Sequence, residues 1–168
     1  GPDLKKLDLN ILNDVKKEDF LKKLNPVYKT VQETKKKLSI SNKDIIGFVG
    51  APWTLLVYML NRKSPKEGNF NVFPKDEYID NILIKLDEFL KIHIEAQIKS
   101  GASIIQIFDS WAGLLPEKDL DYYVYKPIKS LVDFIRQKKT ISICFPRIIN
   151  SYKKFVDNVN PDIISIDY

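Results

Sequence analysis

The sequence predicts an α/β protein built on a parallel sheet, and three observations carry that prediction. Four short runs rich in β-branched and aromatic residues punctuate the chain: IIGFV at 45–49, IIQIF at 104–108, ISICF at 141–145 and IISI at 163–166. A segment of helical periodicity separates each run from the next. The runs are apolar on both faces, as strands of a parallel sheet are. With 168 residues, the chain has the size of one domain. Doubly wound sheets and (β/α)8 barrels share this order of elements, and in both a ligand binds where the strands end.

Residues 17–38 read as the first helix, with Phe20, Leu21, Leu24, Val27, Tyr28, Val31 and Leu38 near helical spacing. Pro26 marks a start or a kink in it. The strand at 45–49 leaves through Gly50-Ala51-Pro52, and a helix follows over 53–62. Residues 63–75 carry two Pro, one Gly and two Asn and read as a loop. The helix over 76–99 has the clearest apolar face, marked by Tyr78, Ile79, Ile82, Leu83, Leu86, Phe89, Leu90, His93, Ile94 and Ile98. Ser100-Gly101 ends it. The strand at 104–108 exits through Asp109-Ser110-Trp111-Ala112-Gly113. A helix over 117–138 is expected to break at Pro127, and Pro146 ends the third strand. A short helix over 148–158 and Pro161-Asp162 lead to the fourth strand.

Composition narrows the function classes. Hydrophobic residues make up 44 % of the chain, enough for a core, and no apolar run reaches the ~18 residues that span a bilayer. The first residues lack an apolar stretch of the secretory kind; Gly1-Pro2 is either native or a tag scar. The single cysteine forms no intrachain disulfide, and with one histidine the chain offers little for zinc. The net charge of +5 comes from lysines spread among acidic residues, not from a basic stripe, so nucleic-acid binding is disfavoured and no nucleic-acid partner is expected. No glycine-rich nucleotide loop and no nucleophile elbow occurs.

The strand exits hold the candidate chemistry: Gly50-Ala51-Pro52-Trp53, Asp109-Ser110-Trp111, Pro146-Arg147 and Asp167-Tyr168. In a parallel sheet they line one rim. Asp109 and Asp167 are each an acid or base, or a helix cap, with capping favoured. Ser110 either caps or donates to a carboxylate. Arg147 either clamps a carboxylate or decorates the surface. Phe48, Trp53, Phe108 and Trp111 form either a flat ligand wall or core. His93, on an apolar helix face, reads as a packed residue, and Cys144, on a strand, reads as core.

Two segments resemble one family. Gly47-Phe48-Val49-Gly50-Ala51-Pro52-Trp53-Thr54-Leu55, with Tyr58 following, is similar to a signature of the uroporphyrinogen decarboxylases. Ile105-Gln106-Ile107-Phe108-Asp109-Ser110-Trp111-Ala112-Gly113 is similar to a second one, in the Asp-Ser-Trp form of bacterial and plastid members. The leading Gly-Pro and the segment from Ile163 to Asp167 match in order and spacing.

The resemblance implies a (β/α)8 TIM barrel, of which residues 1–168 are the central part, about strands three to six. It implies a homodimer that removes carbon dioxide from four acetate arms of uroporphyrinogen to give coproporphyrinogen in haem synthesis. No metal and no organic cofactor are expected, and the location is the cytosol or a plastid. Tyr58 and Ser110 match positions whose hydroxyls contact substrate, and Phe48 and Phe108 match aromatic positions of the pocket. The family's essential aspartate and its arginines belong upstream and its late histidine downstream, so no catalytic residue is assigned here and the isolated chain is expected to be inactive. The family's glycine-containing loop after the third strand reads Phe145-Pro146-Arg147-Ile148 here, and Tyr168 stands at a position commonly Trp. Two other readings stay open: a related barrel methyltransferase, corrinoid or cobalamin-independent, and a non-catalytic barrel piece.

Overall fold

A computed structural model describes residues 11–61, 65 and 72–167. Gly1-Pro2, most of the loop expected over 63–75, and Tyr168 lie outside the described residues. Four parallel strands run in sequence order across one sheet: β1 (Ile46–Gly50), β2 (Ile104–Asp109), β3 (Ile141–Pro146) and β4 (Ile163–Ile164). Helices α1 (Ile11–Asp14) and α2 (Lys17–Lys37) precede β1. Helices α3 (Pro52–Asn61) and α4 (Glu77–Lys99) join β1 to β2. Helices α5 (Glu117–Leu120) and α6 (Lys126–Gln137) join β2 to β3, and α7 (Tyr152–Val159) joins β3 to β4.

Local chemistry sets these boundaries. The Asp76 carboxylate accepts the Ile79 N–H at 3.0 Å and starts α4, and Gly101 takes φ +116° just beyond its end. Pro26 neither starts nor ends α2, which runs unbroken through it. The break expected at Pro127 lies just before it, in a wide π turn over Asp121–Tyr125. There the Lys126 N–H reaches Asp121 O, and the looser turn accommodates a proline that has no N–H for Tyr123 O. The helix expected over 148–158 starts only at Tyr152. Ile148 has φ +58°, and the Ser151 hydroxyl caps the helix by accepting the Lys154 N–H at 3.2 Å.

Register places Ile46, Ile104 and Ile141 on one row, with Gly50, Phe108 and Phe145 on another. The two faces of the sheet differ. Val49, Ile105, Ile107 and Cys144 face the helices and are buried, packed with Trp53, Leu56, Ile94, Leu131, Ile135 and Phe155 in one core. The opposite face carries Ile46, Phe48, Phe108, Ile141 and Ile163 in the open. A doubly wound sheet has helices on both faces; this one is covered on one face alone and presents apolar side chains on the other. That is the wall of a (β/α)8 barrel, whose inner face is lined by its own strands. The fold is a partial TIM barrel of four strands.

The free edge of β1 is dressed by a side chain. Ala51 N–H donates to Phe108 O at 2.8 Å, and in a strand alternate residues turn their N–H and C=O to opposite sides. Phe48 therefore turns its own pair away from β2. Gln97, buried near the end of α4, donates to Phe48 O and accepts from Phe48 N–H, each at 3.1 Å. Its amide stands where a neighbouring strand's peptide group would. Gly47 makes room for it, since a Cβ there would meet Gln97 Oε1 at 2.7 Å.

Candidate functional site

The exits of β1 and β2 are fastened together at the C-terminal rim. The Thr54 hydroxyl, in the first turn of α3, donates to Asp109 Oδ1 at 2.7 Å in a buried site. Next to it, Trp53 Nε1–H donates to Trp111 O at 2.9 Å. The Trp53 ring is fully buried against Tyr123 and Phe73, with centroids 4.8 and 5.8 Å away. Trp53 is therefore core on the helix side of the sheet and not part of a ligand wall. Asp109 caps no helix; it sits at the bottom of this junction. Burial pushes its carboxyl up to about 7, against the opposing pull of the Thr54 hydroxyl and the Trp111 backbone N–H. Its Oδ2 finds no hydrogen-bond partner among the described residues.

The junction brings the Tyr58 ring against the loop that carries Ser110. Tyr58 lies on α3 and packs its ring edgewise on Trp111, with centroids 6.1 Å apart. Trp111 directly follows Ser110, which lines a cleft of about 200 Å³ with Trp111, Gly113, Leu114, Arg147 and Ile148. Ser110 caps nothing, because the 3-10 turn over Ala112–Leu114 starts at Trp111 without a side-chain cap. Neither the Tyr58 nor the Ser110 hydroxyl has a hydrogen-bond partner among the described residues, so both remain available to a ligand.

Below the rim the open face is aromatic. Phe48 and Phe108 meet edge to face at 6.1 Å, and Phe108 meets Phe145 the same way at 6.2 Å. Phe48 is 64 % exposed and Phe108 36 %, so this row lines the inner surface of the barrel wall. Phe145 escaped the sequence reading. Counting by twos from Ile141 places it on the face of its register partner Phe108, which was the available signal.

The remaining candidates separate by burial. Cys144 is fully buried, and burial first, then the charges of Asp109 and Asp162, push its thiol far up; it is core. His93 is half-buried between α2 and α4, where its Nδ1 lies 3.0 Å from the Tyr28 hydroxyl, and burial lowers its pKa. Asp167 caps no helix; it accepts the Ile148 N–H at 3.0 Å and the Tyr152 hydroxyl, and the Tyr152 bond leads in holding its pKa down. Among the described residues no group of three or more His, Cys, Asp and Glu could hold a metal ion, and no helix is long and apolar enough to cross a membrane.

Comparison with known proteins gives the family. The model of the family described as uroporphyrinogen decarboxylase (URO-D) matches residues 1–168. The chain is 37 % identical over its whole length to a uroporphyrinogen decarboxylase of Orientia tsutsugamushi (strain Ikeda), covering 50 % of that protein. It is 40 % identical to the protein of the same name from Rickettsia bellii (strain RML369-C), over 86 % of this chain and 44 % of the relative. For that of Campylobacter fetus the identity is 34 %, over 96 % of this chain and 48 % of the relative. The chain thus spans about half the length of the curated relatives it matches. The sheet with one open aromatic face, the two motifs at its fastened exits and a match from first residue to last lead to one conclusion: the chain belongs to the uroporphyrinogen decarboxylase family.

Proposed function

We propose that this chain forms the central wall and part of the substrate rim of a uroporphyrinogen decarboxylase, which converts uroporphyrinogen to coproporphyrinogen by removing four acetate carboxyls as carbon dioxide. The observation that carries this reading is the meeting of Tyr58, through Trp111, with the Ser110 exit above the Phe48–Phe108–Phe145 row. The substrate is a ring of four pyrroles with eight carboxylates. An apolar aromatic wall suits the ring, and neutral hydroxyl donors suit its acid arms.

The chemistry explains the choice of groups. Protonating a pyrrole carbon beside an acetate arm turns the ring into an electron sink. The bond to the carboxylate then breaks toward the ring, the carbon left behind takes up a proton to become a methyl group, and the proton first added to the ring leaves to restore the pyrrole. A hydroxyl stabilises an acid arm by hydrogen bonding without adding a fixed charge. Asp109 serves this site indirectly, by fixing the loops that carry Tyr58 and Ser110. Phe48 and Phe108 bind the ring, and no metal or organic cofactor takes part.

The protein acts as a homodimer in the cytosol or a plastid under this reading, and sedimentation of the whole protein tests the first point. The test of the activity is a chimera in which this chain replaces the matched segment of the Rickettsia bellii relative. Formation of coproporphyrinogen is expected. A folded chimera that releases no carbon dioxide overturns the reading, as does undiminished kcat/KM in an otherwise identical chimera carrying Tyr58→Phe and Ser110→Ala together. The 168-residue chain alone is expected to release none.

A further inference from the structure

The turn after β3 is held in a conformation its sequence resists. Ile148 is β-branched, yet its φ is +58°, in the left-handed region that favours glycine. Neighbours on three sides enforce it. Asp167 accepts the Ile148 N–H at 3.0 Å and is itself held by the Tyr152 hydroxyl. The Arg147 N–H donates to Asp109 O at 3.0 Å, and the Gly113 N–H donates to Arg147 O at 3.1 Å. Gly113 permits the approach, since a Cβ there would lie 2.5 Å from Ile148 O. Backbone strain that persists only because its surroundings over-determine it points to a role for what it positions.

What this turn positions is Arg147. The residue is exposed and lines the cleft of about 200 Å³ that also contains Ser110. Among the described residues its guanidinium forms no hydrogen bond or ion pair. Arg136, by contrast, is engaged by Asp133 and by Asn160 O. The acidic group whose charge Arg147 feels is Asp167, whose oxygens already take the Ile148 N–H and the Tyr152 hydroxyl. An unpaired planar fork beside an unpaired hydroxyl matches the two oxygens of a carboxylate.

We infer that Arg147 and the Ser110 hydroxyl form a subsite for one carboxylate arm of the substrate. The inference rests on the proposed function for the identity of that arm and goes beyond it in assigning Arg147. The guanidinium gives two parallel N–H donors and a full charge, and Ser110 gives one neutral donor. Lysine would keep the charge and lose the fork.

The test is titration of the 168-residue chain with uroporphyrin, which bears eight carboxylates, and with benzenehexacarboxylate, which has no pyrrole. Circular dichroism confirms that each variant is folded. Arg147→Ala is expected to weaken uroporphyrin binding by about tenfold or more, as loss of a charged hydrogen-bond partner does. Its affinity is also expected to depend less steeply on salt. Arg147→Lys is expected to fall between wild type and Arg147→Ala, and Ser110→Ala to weaken binding without changing the salt dependence. If wild type binds both ligands and Arg147→Ala binds them equally well, the subsite is overturned while the proposed function survives. If benzenehexacarboxylate binds through Arg147 and uroporphyrin does not bind, the subsite stands and the tetrapyrrole reading falls. If wild type binds neither, the subsite is overturned.

Discussion

Thr54 and Asp109 lie 55 positions apart in the chain and 2.7 Å apart in space, hydroxyl to carboxyl, with no water-accessible surface on the carboxylic acid. This contact decides how the β1 exit sits on the β2 exit. Thr54→Val keeps the shape and removes the donor, depriving Asp109 Oδ1 of its hydroxyl partner in the interior. The expected loss is about 1–3 kcal/mol of stability. A lower urea midpoint with an unchanged slope checks it, and a double-mutant cycle with Asp109→Asn should show coupling, because the two groups touch.

The same carboxyl should make stability fall with pH. Burial raises Asp109 from 3.8 in the unfolded chain to about 7 in the folded one. Between those values the native state holds the extra proton, so the stabilisation is fully present below pH 3.8 and is lost as pH rises through about 7. The drop is on the order of a few kcal/mol. Asp167 and Asp162 have the opposite sign: their pKa values are lowered, and their contribution is lost only under more acidic conditions. His93, whose pKa burial lowers, has the opposite sign and adds a rise toward pH 6.5, so urea midpoints measured from pH 4 to 8 should rise in Asp109→Asn and fall relative to that variant in wild type. The same trend in both would show that Asp109 is not the group responsible.

Tyr58→Phe and Ser110→Ala each remove a hydroxyl that has no hydrogen-bond partner among the described residues. Each should leave the urea midpoint close to wild type. In the chimera with the Rickettsia bellii relative, each should cost about 1–3 kcal/mol of substrate affinity or of kcat/KM. A variant that unfolds early but retains full turnover would mark its hydroxyl as structural.

Ile148→Gly should stabilise the chain, because glycine takes φ +58° without a Cβ penalty. The strain relieved is on the order of 1 kcal/mol, and the side chain given up is 56 % exposed, so little packing is lost. Differential scanning calorimetry should show a higher Tm. A lower one would mean that Ile148 gains more from its contacts than its backbone loses.

Much of this architecture was legible because the strongest signals are local and periodic. The β-branched runs gave the strands, and the Asp76 and Ser100-Gly101 boundaries of α4 are written in capping chemistry. The elements that misled depend on partners elsewhere. Residues 148–151 look helical by composition, yet Asp167, nearly twenty residues on, pulls the Ile148 N–H into a turn. Trp53 sits at a strand exit like a ligand contact, yet its ring turns into the core beneath Tyr123. Asp109 resembles a cap until the Thr54 hydroxyl is placed against it. Gln97, polar and near a helix end, gave no sign that it would serve a strand, because its partner is a backbone edge 49 positions away. Tyr58 and Ser110 stand out in the sequence as motif positions; the cleft shared by Ser110 and Arg147 does not, since it joins two separate strand exits.

The Gln97 amide also governs how anything can add to the margin of the sheet. An incoming strand at β1 must first evict that amide from Phe48, trading two hydrogen bonds for two others with little net gain. The driving force is left to the oily trough alongside, about 370 Å³ walled by Phe20, Phe48, Leu86 and Phe89 among others. Growth of the cylinder at this border is thereby selective: a segment that brings matching greasy side chains is admitted, while a polar stretch of backbone looking for a template meets a seat already taken.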